Sequence, residues 1–118
     1  PCGTLFPYTT LFRSLSFPTI TGLLRNQLDF DGVVISDDLQ MGAISDHYGL
    51  EQAVRLALEA GVDILLFGNN LDYDPQIVPG VVQTIRDLVT TGAISERRID
   101  ESWRRIMRLK GLWLSQVE

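Results

Sequence analysis

The sequence predicts an α/β fold with a parallel sheet. Three features carry that expectation. The run Val33-Val34-Ile35 is β-branched, has no polar alternation and breaks into Ser36-Asp37-Asp38, as a strand covered on both faces does. Val62 to Phe67, VDILLF, has the same buried character. Between them, Leu50 to Ala60 carries helical spacing. Strand, helix and strand within the span 33–67 make a right-handed βαβ unit.

The 118 residues set one domain as the expectation. At 45% hydrophobic and 21% charged, the composition is that of a globular protein. A chain of this length buries roughly two thirds of its unfolded surface if the domain is complete. The formal net charge of -5 argues against a nucleic-acid partner. No apolar run approaches the ~20 residues of a membrane span. No signal-peptide pattern is present at the N-terminus. The single cysteine, Cys2, excludes an internal disulfide and leaves the compartment open. Repeats, Cys/His metal spacings and phosphate-cradling glycine loops are missing, so neither metal nor cofactor is expected.

Residues 1–14, PCGTLFPYTTLFRS, show no period of 2 or 3.6. Thr4 to Ser14 matches, residue for residue, the translation of a common sequencing-library adapter. The expectation is a non-native segment over 1–14, with natural coding resuming near Leu15. Phe6, Tyr8, Phe12 and Arg13 are therefore given no function.

From Pro18 a helix is expected, since proline suits a first turn. Ile20, Leu23, Leu24 and Leu28 fall on one face of it. Asp29-Phe30-Asp31-Gly32 ends it and leads into a strand over Val33 to Ser36. Residues 38–49 form a connection, with a short helical turn around Met41 to Ser45. In the second helix Leu50, Ala53, Val54, Ala57 and Leu58 form the apolar stripe, and Gly61 stops it in the left-handed conformation. Gly68-Asn69-Asn70 opens a polar loop after the second strand. A third helix starts between Pro75 and Pro79, with Ile77, Val78, Val81, Val82, Ile85, Leu88 and Val89 as its stripe and Gly92 as its close. Ser95 or Asp100 caps a last helix, with Ile99, Trp103, Ile106, Met107 and Lys110 at helical spacing. Its basic run, with Glu101 four residues before Arg105, reads as a solvated, ion-paired face.

Asp37 is the prime candidate for chemistry. The C-terminal ends of parallel strands are where α/β folds place their sites. A carboxylate there can be a nucleophile, a metal ligand or a general base. Equally, Asp37 and Asp38 can simply satisfy backbone N–H groups of the next turn. Neighbouring strand residues point to opposite sides, so one of the pair faces a site. The expectation is that Asp37 faces in, while Asp38 anchors the loop or pairs with a cation. His47 is the single histidine and reads as a surface loop residue.

The stretch DFDGVVISDDLQMGAI, Asp29 to Ile44, followed by EQAVRLALEAGVDILLFGN, resembles the family 3 glycoside hydrolases. It is similar in particular to the β-N-acetylhexosaminidase branch, where a strand ends in Ser-Asp-Asp-Leu-x-Met. The β-glucosidase branch more often has Ser-Asp-Trp there. GAISERRIDESWRRIMRLKG, Gly92 to Gly111, is similar to the end of that family's barrel domain. The resemblance covers Leu15 to Gly111.

On that resemblance, residues 15–118 are the C-terminal βαβα portion of a (β/α)8 TIM barrel. The barrel is incomplete here, since a whole one takes about 250 residues. Open sheet edges and apolar helix faces would then invite self-association. The implied reaction of the parent protein is retaining hydrolysis of a terminal β-linked N-acetylhexosamine. Asp37 corresponds to the nucleophile, and Met41 sits where the family has a residue lining the sugar pocket. A retaining mechanism also needs an acid/base, in most such enzymes a carboxyl ~5–5.5 Å away. The hexosaminidase branch uses a His–Asp pair on an earlier loop, which this chain does not match, so the fragment alone is expected to be inactive. The resemblance leaves the parent's compartment open, cytoplasmic or secreted. The alternatives are a β-glucosidase-type family 3 hydrolase, a phosphoacceptor receiver-like domain, and a non-catalytic sugar-binding module. The receiver pattern wants an Asp at the later strand end, where this chain has Phe67-Gly68-Asn69, and a lysine just beyond it. The lone lysine, Lys110, lies in the last helix instead.

Overall fold

The computed structural model describes residues 15–41, 48–70 and 72–116. In chain order the elements are a helix α1 (Pro18–Gln27), a strand β1 (Ile35–Asp38), α2 (Leu50–Ala60), β2 (Ile64–Leu66), α3 (Ile77–Thr90) and α4 (Glu96–Leu114). β1 and β2 pair in parallel, with α2 as the crossover. The expected strand–helix–strand unit is therefore present.

β1 is displaced from its apolar run and β2 is shorter than its own, and the cause is side-chain competition for the backbone. Val34 N–H donates to the Asp63 carboxylate at 3.0 Å instead of entering the ladder. The Val34 carbonyl accepts from both Asp63 N and Ile64 N. β1 thus begins at Ile35, two residues later than expected, and runs through both aspartates. On the second run, Val62 N–H closes the end of α2 on Ala57 O, and the Val62 carbonyl accepts from Arg98. Ile35 stands opposite Ile64, and Asp38 opposite Leu66. Between those pairs β1 holds one residue more than β2, a bulge that interrupts strict side-chain alternation.

Gly61, at φ 110°, ends α2. Its N–H reaches Leu58 O, and Val62 N–H reaches Ala57 O, a pair of bonds that satisfies the last carbonyls of the helix. α2 is the centre of the core. Ala53, Ala57 and Ala60 pack with Ile20, Leu39 and Val62. Val54 and Leu58 pack with Ile77, Val81, Leu88 and Ile94. Leu65 and Phe67 of the second strand run lie against both groups.

Three expectations fail. The strands are not covered on both faces, since Ile35 of β1 and Leu66 of β2 are exposed. α1 is wound as a π-helix, with Leu28 N–H donating to Leu23 O. With an extra residue in each hydrogen-bonded ring, positions spaced for 3.6 residues per turn no longer share a face. Ile20 is buried, whereas Leu23 and Leu28 are exposed. The basic run of α4 is also not a uniformly solvated face. Glu101 pairs with Arg97 rather than Arg105. Arg98 and Arg105 turn inward onto Asp63, because that buried carboxylate has no water to solvate it and needs cationic donors more than the partly exposed Glu101 does. Of the two caps considered for α4, Ser95 is the one used, accepting from Arg98 N–H at 3.2 Å.

Candidate functional site

The acidic pair sits at the C-terminal end of β1, beside the loop that leaves β2. Asp37 is exposed. Its Oδ1 accepts the Asp38 N–H at 2.8 Å. Asp38 is half-buried, and its Oδ1 accepts from Gln40 N–H at 2.9 Å and Gly68 N–H at 3.0 Å. Asp38 thereby ties the turn after β1 to the loop after β2. Gln40 adds a second tie, its Oε1 accepting from Asn69 N–H at 2.6 Å. Asn69 has φ 50°, and its side chain clasps residue 74 twice: Nδ2 donates to Asp74 O, and Oδ1 accepts from Asp74 N.

Between the two loops lies a cavity of about 290 Å³, lined by Asp38, Gln40, Tyr48, Leu50, Asn70 and Asp72 among others. Its lining mixes carboxylates and amides with Leu39, Leu50 and Ile77. Met41 is partly exposed and lies in the turn, its N–H on Asp38 O. The expected helical turn beyond Met41, and His47, lie outside the described residues. No group of three metal-ligating side chains occurs among the described residues. None of the described helices is long and apolar enough to cross a membrane.

The opposite, N-terminal end of the strands holds a charged cluster that sequence reasoning missed. The Asp63 side chain is completely buried. Its Oδ2 accepts from Arg25 at 2.8 Å and Val34 N–H at 3.0 Å. Its Oδ1 accepts from Ser102 Oγ at 2.6 Å and Arg105 at 3.1 Å, with Arg98 at 3.8 Å. Burial alone pushes the carboxyl's pKa up. The Ser102, Val34 and Arg105 hydrogen bonds outweigh it and hold the value below the ordinary one. Burial pushes the Arg98 guanidinium down. Every partner of Asp63 lies at least 29 positions from it along the chain, which fits a fastening. The one signal in the sequence was an aspartate inside an otherwise apolar strand run.

A parallel α/β segment with acidic side chains gathered past its strand ends is the arrangement of an α/β active-site rim. The sequence matches the glycosyl hydrolase family 3 N-terminal domain over residues 13–109, and the chain belongs to that family. It is 37% identical over 83 residues to beta-hexosaminidase LpqI of Mycobacterium tuberculosis, covering 70% of this chain and 20% of that one. It is 35% identical over 91 residues to a beta-N-acetylglucosaminidase/beta-glucosidase of Cellulomonas fimi, covering 77% of this chain and 15% of that one. Among solved structures, a family 3 beta-N-acetylglucosaminidase from Paenibacillus sp. str. FPU-7 superimposes with a TM-score of 0.73 at 41% identity, over 83% of this chain and 18% of that one. The beta-N-acetylglucosaminidase from Thermotoga maritima gives 0.72 at 34% identity, over 80% and 20%. The chain therefore spans about a fifth of the length of these relatives. The family match removes the receiver-like alternative.

Proposed function

We propose that the protein carrying this segment hydrolyses terminal β-linked N-acetylhexosamine with retention, and that Asp37 is its nucleophile. One observation carries this: an exposed carboxylate at a parallel strand's C-terminal end, with one oxygen held by a backbone N–H, in a chain of this family. Asp37 attacks the anomeric carbon and the leaving oxygen takes a proton from a general acid. A covalent glycosyl-enzyme forms, which water then hydrolyses. The Ser36-Asp37-Asp38-Leu39 sequence and the names of the relatives favour the amino sugar over glucose. Met41 is assigned to the rim of the sugar pocket.

Residues 15–118 are, on this reading, the last two strands of a (β/α)8 barrel and the helices that follow them. Residues 1–14 are read as adapter-derived; their removal should leave the urea midpoint unchanged.

The test of the activity is to express the full-length protein and its Asp37→Ala variant and assay both on aryl N-acetyl-β-glucosaminide and aryl β-glucoside. The wild type should prefer the amino sugar, and the variant should lose turnover while keeping its far-ultraviolet spectrum. Near-normal turnover in Asp37→Ala would sink the assignment.

A further inference from the structure

Gly68 is glycine for want of space, not for its backbone angle. A Cβ built there collides with Asp38 Oδ2 and comes to 3.2 Å from Asp38 Cγ. The carboxylate of a residue 30 positions earlier occupies the volume that a side chain would need. The other glycines with blocked space answer to different causes: Gly61 has φ 110°, and Gly32 meets only the movable Phe30 ring.

We infer that Asp38 is a positioning residue: its carboxylate, seated in the space left open by Gly68, fixes the backbone amide that orients the Asp37 carboxylate. This rests on the reading of Asp37 as nucleophile. The chain of contacts is short. Gly68 N–H and Gln40 N–H hold Asp38 Oδ1. The next residue is held as well, with Leu39 N–H on Leu66 O at 3.0 Å and Leu39 buried. Asp38 is thus fixed through both its side chain and its following peptide. Its own N–H donates to Asp37 Oδ1 at 2.8 Å. Among the described residues nothing donates to Asp37 Oδ2, so one oxygen is held and the other is left for attack. The bulge in β1 serves the same arrangement, bringing Asp38 opposite Leu66 and within reach of Gly68. A carboxylate displaced by ~1 Å from its attack geometry costs about 10²-fold in rate.

The test compares Asp38→Ala, Asp38→Asn and Gly68→Ala in the full-length protein on aryl N-acetyl-β-glucosaminide. Asparagine keeps the Oδ1 acceptor, so it should retain most of kcat. The other two should lose about 10²-fold in kcat with KM little changed. If Asp38 only held the fold, thermal midpoints would fall while kcat of the folded fraction stayed normal. That outcome overturns the inference, as does Asn falling as far as Ala. A second arm follows amide exchange at Gly68 in the 118-residue chain. Protection should persist in Asp38→Asn and vanish in Asp38→Ala; persistence in both overturns the clamp. Absence of any amino-sugar turnover in the wild type would fault the proposed activity, and the amide arm would still decide the clamp.

Discussion

Ser102 Oγ donates to Asp63 Oδ1 at 2.6 Å across 39 residues of sequence. That bond is one of several joining α1, the start of β1, β2 and α4 at a single carboxylate. It lies at the strand end opposite Asp37. In a parallel α/β fold that end serves stability, and the C-terminal end serves chemistry.

Removing the Asp63 carboxylate leaves Arg25 and Arg98 partly buried without their counter-charge, and Arg105 with Asp31 alone. Breaking one partner of a buried ion pair costs about 3–5 kcal/mol. Asp63→Ala should lower the unfolding free energy by that amount, read from urea titration at neutral pH. Ser102→Ala removes two hydrogen bonds, the one donated to Asp63 Oδ1 and the one accepted from Arg98, and should cost at least about 1.5–3 kcal/mol, the range for a single bond to a charged group. A loss below ~1 kcal/mol for Asp63→Ala would mean that the cluster is not a fastening.

The same carboxyl sets a pH dependence. Its folded pKa lies below its ordinary value. A depressed folded pKa contributes stability that is present above the unfolded pKa and lost as pH falls through the folded one. The wild type should therefore lose stability steadily below the ordinary carboxylate range. Asp63→Asn should show a shallower acid limb. Asp31 shifts in the same direction through the Arg108 hydrogen bond, followed by Arg105. It is exposed, so its share should fade in high salt. Urea midpoints measured from pH 7 downward, at low and high salt, separate the two. Parallel acid limbs for wild type and Asp63→Asn would count against the assignment.

Two glycine substitutions should move stability in opposite directions. Gly61 sits at φ 110°, and a Cβ there would stand 2.8 Å from Thr21 Oγ1. That hydroxyl is engaged with Ala60 O at 2.8 Å. Gly61→Ala should cost more than ~1 kcal/mol. Gly111 lies inside α4 with nothing within 4 Å of a built Cβ. Gly111→Ala should gain roughly 0.5–1 kcal/mol. Thermal midpoints of the pair check both signs, and equal shifts would contradict the backbone argument.

Much of the fold was legible because it rests on short-range chemistry. The apolar runs, the α2 stripe and the Gly61 stop each depend on residues within a few positions. Of the candidate site, the sequence marked Ser36-Asp37-Asp38 as the end of an apolar run. What escaped was long-range. Asp63 was read only as part of the run VDILLF, and its partners Arg25, Ser102 and Arg105 lie 38, 39 and 42 positions away. Arg98 and Arg105 read as solvent residues because charge spacing along a helix says nothing about what the helix packs on. Gly68 looked like a turn glycine, since the carboxylate filling its side-chain space comes from the other strand. The π-winding of α1 has no sequence signal at all.

The last prediction concerns the 118-residue chain by itself, which should not turn over aryl N-acetyl-β-glucosaminide. Retaining hydrolysis needs a nucleophile and a proton donor on the two sides of one sugar. On the proposed reading Asp37 supplies the first. Among the described residues the nearby carboxyls are already employed or unplaced for the second. Asp38 is bound to Gly68 and Gln40, and Asp74 Oδ1 accepts from Gln76 N–H at 2.8 Å. Asp72 lines the cavity wall, with nothing to hold a leaving group against it. Positioning can contribute ~7–11 kcal/mol to a barrier, and an unheld sugar forgoes most of it. The sheet face also bears exposed Ile35 and Leu66, at 59% and 47%. On the other side an apolar groove of about 360 Å³ opens between Phe67, Val82 and Trp103. Such surfaces should drive concentration-dependent association that covers apolar area without supplying a proton donor. Light scattering on the purified chain should show that association, and the assay should read background. Turnover near that of an intact family enzyme, from a monomer, would mean that the chain contains its own acid/base.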